Sequence, residues 1–190
     1  MKPLVTYAAP VLAVLVALAS LPMLAQAAVD AALSVEANQA FVAANAKKKG
    51  VITLADGLQY RVLQNGTGRH PGLTDTAQVN FTARLINGVV FDGTSPGFPV
   101  GLAVNIVIRG LSEALQMMHV GDHWQLVVPA GLGFGSKGTP NGAVPPNQTL
   151  VFDVSVLSAT PAPPAGVDQG ATLSILSSDQ QRGAVLTIHP

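Results

Sequence analysis

Hydrophobic and polar positions alternate in short runs along residues 58–156. In the clearest run Val79, Phe81, Ala83 and Leu85 are separated by polar residues, and Asn-Gly at 87–88 follows as a hairpin signal. Further alternating runs occupy residues 58–62, 124–128 and 150–156. A period of two residues is typical of half-buried strands, so these runs predict an antiparallel sheet.

One stretch inside this region has helical spacing. Leu111, Ala114, Leu115 and Met118 stand at i, i+3, i+4 and i+7, and Gly121 follows as a stop. The sequence therefore predicts an α+β fold, in which a twisted antiparallel sheet packs against one short helix.

A second helix is predicted before the sheet, over residues 29–49, where Gly and Pro are absent. Three lysines at 47–49 suit the negative end of a helix, and Gly50 is a plausible stop. Its apolar positions at helical spacing are Leu33, Ala37, Ala40, Phe41 and Ala44. We expect this stripe to pack on the domain or on the helix of a second copy, which would make a homodimer.

The two ends of the chain differ in composition from the domain. Lys2, an apolar run over residues 11–21 and Ala25-Gln26-Ala27 predict a signal peptide over residues 1–27 and export, in bacteria to the periplasm. An uncleaved membrane anchor is the alternative, although the run is short for a bilayer span. The predicted organisation is leader 1–27, helical arm 28–50, domain 51–159, and a Pro-rich linker and tail 160–190, to which no function is assigned.

Composition excludes several classes of function. The chain of 190 residues has ten basic and ten acidic residues, so it lacks the basic surface that nucleic-acid binding requires. Cysteine is absent, which excludes disulfides and thiol chemistry. His119 and His123 are four residues apart, but Gly121 lies between them, and we expect turn residues here instead of metal ligands. No metal and no cofactor is predicted.

A glycine-rich segment at residues 131–146 contains GFGSKG, which fits the G-x-G-x-x-G spacing of a dinucleotide-binding turn. Such a turn must open a helix, because the phosphate binds at the helix N-terminus. The following residues, TPNGAVPP, contain three prolines and therefore cannot form one. We interpret residues 131–146 as a flap whose apolar side chains, Phe134 and Val144, close a shallow aromatic pocket beside Asp92.

Several motifs, in order and spacing, resemble the FKBP-type peptidyl-prolyl cis-trans isomerases. They are GLQYRVL at 57–63, VNFTARLINGVVFDG at 79–93, VIRGL at 107–111, VGD at 120–122, VPAGLGFG at 128–135 and VPPNQTLVFDV at 144–154. The resemblance covers residues 57–158. Residues 41–57 resemble the joint between arm and domain in exported bacterial members, including the macrophage infectivity potentiator type.

The resemblance implies a fold, an activity and a set of site residues. The fold is a twisted antiparallel sheet wrapped around a short helix, and the activity is cis-trans isomerisation of X-Pro bonds in exported polypeptides. The implied catalytic residues are Asp92, Phe91, Phe152 and Phe81. The implied substrate-binding residues are Phe98, Val107, Ile108, Leu111, Phe134 and Val144.

Three positions depart from the family pattern. Phe81 and Phe134 stand where the family uses Tyr, and Leu111 stands where it uses the Trp of the pocket floor. Loss of two hydroxyls and an indole leads us to expect only weak binding of macrolide inhibitors. It also leaves an alternative, a catalytically weak, chaperone-like module that holds apolar or proline-containing segments.

Overall fold

The computed structural model describes residues 31–162. The predicted leader, the start of the arm and the tail from residue 163 onward lie outside the described residues. The elements in chain order are α1 (Val35–Ala46), β1 (Ile52–Thr53), β2 (Gln59–Gln64), β3 (Thr76–Leu85), β4 (Val90–Gly93), β5 (Val100–Ala103), α2 (Arg109–Met117), β6 (His123–Val128), a 3-10 turn (Ala130–Leu132) and β7 (Leu150–Thr160).

All seven described strands form one antiparallel sheet. The spatial order is β1-β2-β6-β7-β3-β4, and β5 pairs with the first half of β3. β3 thus has β7 along one edge and shares its other edge between β4 and β5. The predicted hairpin joins β3 to β4, where Gly88 has φ +89° and donates its N–H to the Leu85 carbonyl.

The core lies between the sheet and α2. Leu111, Ala114 and Leu115 of α2 are buried against strand residues such as Leu126 and Val154. The four apolar positions predicted for this helix are all buried, Met118 included. The predicted α+β class, with a sheet packed on one short helix and a helix preceding it, is confirmed.

α1 differs from the predicted arm in length and in the face that it buries. It covers 12 residues and begins at the N-cap Ser34, whose hydroxyl accepts from the Ala37 N–H. Ala40 and Ala44 of the predicted apolar stripe are exposed. The buried side chains of this helix are two amides, Asn38 and Asn45. These two alanines do not pack on the domain, and packing of the stripe on a second copy remains a prediction.

Two strands were not predicted from the sequence, β1 with two residues and β5 with four. β5 contains Gly101, and an added Cβ there would lie 2.9 Å from the Gln78 side chain on β3, so close backbone approach replaces the apolar alternation. Neither described helix combines the length and apolar character needed to cross a membrane.

Candidate functional site

Four phenylalanine rings meet on one side of the sheet, and we call Phe81, Phe91, Phe134 and Phe152 the aromatic cluster. The ring centroid of Phe91 lies 6.4 Å from those of Phe134 and Phe152, both in edge-to-face geometry. Phe81 lies 6.5 Å from Phe152. These are favourable separations for aromatic pairs, so the four rings support one another as a unit.

Strand register brings Phe81 and Phe152 together, whereas Phe91 is left unpaired at the register shift between β3 and β4. Ala83 on β3 pairs with Phe152 on β7 and, on its other side, with Asp92 on β4. Phe81 therefore lies two residues away from this row and on the same face as Ala83, because side chains alternate along a strand. Phe134 comes from the flap, just after the 3-10 turn, and covers the edge of Phe91.

Beside the cluster lies a cavity of about 450 Å³, which is lined by Phe81, Asp92, Phe98 and Leu102 among others. Asp92 is exposed, and one of its carboxylate oxygens accepts from the Gly93 N–H at 2.8 Å. Phe98 also lines this cavity and is 75% exposed, so it stands at the cavity's mouth. We call Asp92 and Phe98 the rim.

Three predicted site residues are almost completely buried. Leu111, Val144 and Phe152 have at most 4% of their surface exposed and belong to the hydrophobic core. Of the three, Phe152 is in ring contact with Phe81 and Phe91. For Leu111 and Val144, contact with a ligand remains a prediction.

Val107 and Ile108 precede α2 and are half-buried against the core. Val107 lines a different hollow, of about 610 Å³, together with Arg109, Glu113 and Met117. The structure thus does not bring Val107 to the cavity that holds Asp92. Burial, and then the nearby Asp56 carboxyl, raises the pKa of Glu113 in that hollow.

The flap is held by hydrogen bonds of its own. Thr139 and Val144 bond across it, with Thr139 N–H donating to the Val144 carbonyl at 2.9 Å and Val144 N–H to the Thr139 hydroxyl at 2.8 Å. Gly138 has φ +65°, and a Cβ there would lie 2.3 Å from the Val144 carbonyl oxygen. Residues 139–149 form no helix, as the three prolines predicted.

Thr94 is a site residue that the sequence did not reveal. Its hydroxyl accepts from the Phe81 N–H at 3.1 Å, and its own N–H donates to the Phe81 carbonyl at 2.9 Å. These bonds tie the loop between β4 and β5, which carries Phe98, to β3, which carries Phe81. A threonine after Asp-Gly was the only signal available, and it is too common to be diagnostic.

The histidines contribute no metal centre in this part of the chain. Within residues 31–162 no three His, Asp or Glu side chains are placed to hold a metal ion together. His119 lies in the turn after α2, as expected, whereas His123 is the first residue of β6. The chemistry available around the aromatic cluster is therefore apolar contact and hydrogen bonding.

The fold and the site define a class of α+β domains in which an antiparallel sheet, packed on a short helix, carries an aromatic cluster beside a cavity lined by Asp92. Residues 67–157 match the family model described as FKBP-type peptidyl-prolyl cis-trans isomerase. Residues 11–62 match the domain amino terminal to this isomerase, and the first 17 of them coincide with the predicted leader. The chain belongs to the FKBP-type peptidyl-prolyl cis-trans isomerase family.

Individual relatives agree with this assignment. The peptidyl-prolyl cis-trans isomerase Mip of Coxiella burnetii is 46% identical over 124 residues, which are 65% of this chain and 54% of the relative. The outer membrane protein MIP of Legionella longbeachae is 43% identical over 65% of this chain and 53% of the relative. A crystal structure of a peptidyl-prolyl cis-trans isomerase from Pseudomonas syringae superposes with a TM-score of 0.62 at 32% identity, over 66% of this chain and 92% of that one. The chain spans about half the length of the curated relatives it matches.

Proposed function

We propose that this protein is a peptidyl-prolyl cis-trans isomerase that acts on X-Pro segments of exported polypeptides in the periplasm. The observation that carries the proposal is the aromatic cluster beside the Asp92 cavity, built from the residues that match the family's pocket. The predicted leader and a relative named an outer membrane protein support export. The domain organisation of leader, arm, isomerase domain and tail is part of the same proposal.

The physical basis is the resonance of the peptide bond. Isomerisation requires rotation about the C–N bond, which has partial double-bond character, with a barrier of about 20 kcal/mol. The twisted transition state has lost that resonance and the charge separation that accompanies it. An apolar pocket therefore favours the twisted amide over the planar one, and only such differential binding accelerates the reaction.

Each group in the site has a role in this scheme. The rings of Phe81, Phe91 and Phe152 contact the prolyl ring, and Phe134 covers it from the flap. Asp92 orients the substrate amide by accepting a hydrogen bond and transfers no proton. No bond is broken during rotation, so the reaction requires neither a nucleophile nor a metal.

The three departures from the family pattern set the expected selectivity. Phe81 and Phe134 present no hydroxyl to a ligand carbonyl, and Leu111 is a smaller support than an indole. Peptide substrates rely mainly on the fit of the prolyl ring, whereas macrolides use those polar contacts as well. We therefore expect isomerisation to be retained and macrolide inhibition to be weak.

The experiment that tests the function is the exchange rate of a short X-Leu-Pro-Phe peptide in the presence of the full chain, expressed with its own leader in a bacterial host. Acceleration that disappears in the Asp92→Ala, Phe152→Ala double variant is the expected result. A rate unchanged at high protein excess, together with suppressed aggregation of an unfolded client, would contradict the proposal in favour of a holding module.

A further inference from the structure

The arm helix α1 is joined to the root of the flap through one buried side chain, Asn38. Its amide oxygen accepts from the Thr149 N–H at 2.7 Å, and its amide nitrogen donates to the Gln148 side-chain oxygen at 3.1 Å. The same nitrogen also donates to the carbonyls of Ser34 and Leu33, at 2.9 and 3.2 Å. Asn38, Gln148 and Thr149 are each at most 4% exposed.

Gln148 completes the connection from the other side. Its amide nitrogen donates to the Leu33 carbonyl at 3.0 Å and to the Pro146 carbonyl at 2.9 Å. One side chain thus bonds the start of the arm and the last residue of the flap. Buried polar groups that are left unpaired destabilise a protein, so this network favours a single arrangement of the two segments.

The hydrogen-bond network continues toward the aromatic cluster through the backbone. Asn147, next to Gln148, donates its N–H to the Gly135 carbonyl at 2.9 Å and closes the neck of the flap. Asn147 is the only non-glycine residue in the described range with positive φ, at +59°. Gly135 follows Phe134, whose ring contacts Phe91 in the aromatic cluster. A short path therefore leads from Asn38 to Phe134.

A second buried amide on the same helix provides a contrast. Asn45 donates to the Gln59 side-chain oxygen at 2.8 Å, and Gln59 donates to the Val42 carbonyl at 3.0 Å. These bonds attach α1 to β2. Asn38 and Asn45 thus anchor the same helix, but only Asn38 bonds residues that adjoin the flap.

We propose that Asn38 and Gln148 are positioning residues, which hold the neck of the flap and thereby keep Phe134 over the prolyl pocket. The arm helix is then part of the site's support and not only a stalk. This inference rests on the proposed function for its kinetic consequence, whereas its structural consequence can be measured without any substrate.

The structural test is amide hydrogen exchange by NMR in the full chain. In Asn38→Ala we expect the amides of Asn147 and Val144 to exchange faster by about tenfold or more, because opening of the flap is no longer opposed by the network. Amides in the middle of β3 and β7 should keep their rates, which excludes global unfolding. Gln148→Ala should have the same effect, so the test remains available if one variant fails to fold.

The kinetic test compares Asn38→Ala with its matched control, Asn45→Ala. We expect kcat/KM for the Leu-Pro peptide to fall by roughly tenfold in Asn38→Ala, mainly through a higher KM, because the flap binds the prolyl ring in ground and transition states alike. Asn45→Ala should loosen the helix but retain wild-type KM.

The outcomes separate the two proposals. An inactive wild-type protein with the predicted exchange pattern would overturn the proposed function and support the positioning role. Equal effects of Asn38→Ala and Asn45→Ala on KM, or unchanged exchange at Asn147 in both Asn38→Ala and Gln148→Ala, would overturn the positioning role. In the Asn38→Ala, Gln148→Ala double variant the rise in KM should not exceed that of either single variant, since both substitutions remove the same network.

Discussion

The aromatic cluster and the rim belong to the same proposed site, yet they are supported in opposite ways. Phe81 and Phe152 stand in the register between β3 and β7, and Phe152 is 4% exposed. The rim stands at the end of β4 and on the loop that follows it, where Asp92 is exposed and Phe98 is 75% exposed. Substitution in the cluster should thus change stability and activity together, whereas substitution in the rim should change activity alone.

The largest effect is expected at Phe152, the ring shared by two contacts of the cluster. Phe152→Ala removes a buried ring against Phe81 and Phe91. It should lower the free energy of unfolding by about 3–5 kcal/mol and abolish peptide isomerisation. Chemical denaturation and the peptide assay measure the two consequences.

Phe152→Leu is the matched control, since it retains an apolar side chain and should be less destabilising. A loss below about 1 kcal/mol in Phe152→Ala would mean that the site can collapse around the missing ring. The expected difference in stability effects between the cluster and the rim would then be absent.

The next largest effect is expected at Leu111, in the hydrophobic core. Leu111→Trp restores the residue that the family pattern has at this position, but Leu111 is 4% exposed and part of the core. A Cβ on its neighbour Gly110 would lie 2.6 Å from a Val128 methyl group, so α2 is already in close contact with β6. We expect Trp to destabilise the fold by about 1–3 kcal/mol because the core has no room for it.

Thermal unfolding of Leu111→Trp beside Leu111→Met checks this expectation. The methionine has a similar volume and should be tolerated within about 1.5 kcal/mol. A tryptophan variant as stable as wild type, with higher turnover, would show that the pocket floor is open to substrate and that Leu111 belongs to the cluster.

Alternation in the sequence predicted the strands that carry Phe81 and Phe152, whereas no sequence pattern fixes the conformation of the loops that carry Phe98 and Val107. Alternation over residues 79–85 and 150–156 placed Phe81 and Phe152 on strands, because a two-residue period reports directly which face is buried. The resemblance implied Val107 and Phe98 as pocket residues, but the conformation of short loops decides where these side chains lie. Val107 lines another hollow, whereas Phe98 lines the cavity beside Asp92 at its mouth, and contact of either residue with a ligand remains a prediction.

Hydrophobic periodicity could not predict how α1 is attached to the domain. Asn38 and Asn45 are polar residues in an alanine-rich helix, and a polar residue is assigned by default to the solvent side. Their partners Gln148 and Gln59 are 110 and 14 residues away in the chain. Burial of an amide depends on such long-range pairing, which no local pattern encodes.

Lowering the pH should have a smaller effect on stability, through Asp75, which belongs neither to the aromatic cluster nor to the rim. Asp75 is buried just before β3, and the Gly72 N–H above all, then the Arg69 guanidinium, hold the pKa of Asp75 below its ordinary 3.8 against the opposing effect of burial. A lowered pKa in the folded state means that Asp75 stabilises the fold at neutral pH. This contribution should disappear as the pH falls from about 4 toward the folded-state pKa.

Urea denaturation at pH 7 and at pH 3 measures the loss, and Asp75→Asn is the control. The variant keeps an oxygen that can accept from Gly72 but cannot titrate, so its stability should depend less on pH over this range. Identical pH dependence in variant and wild type would assign the acid sensitivity to other carboxylates.

The smallest effect on stability is expected at the rim, in Asp92→Asn. The side chain is exposed and its hydrogen bond is to the adjacent Gly93 N–H, so the free energy of unfolding should change by less than about 0.5 kcal/mol. If Asp92 orients the substrate amide, kcat/KM should nevertheless fall roughly fivefold, which corresponds to one hydrogen bond of about 1 kcal/mol. Phe98→Leu, at the same rim but without a polar group, should also leave stability nearly unchanged and should lower kcat/KM by less than Asp92→Asn does. A stability loss in Asp92→Asn equal to that of a cluster variant would remove the distinction between the two regions, because the carboxylate would then be a structural group that also happens to face the cavity.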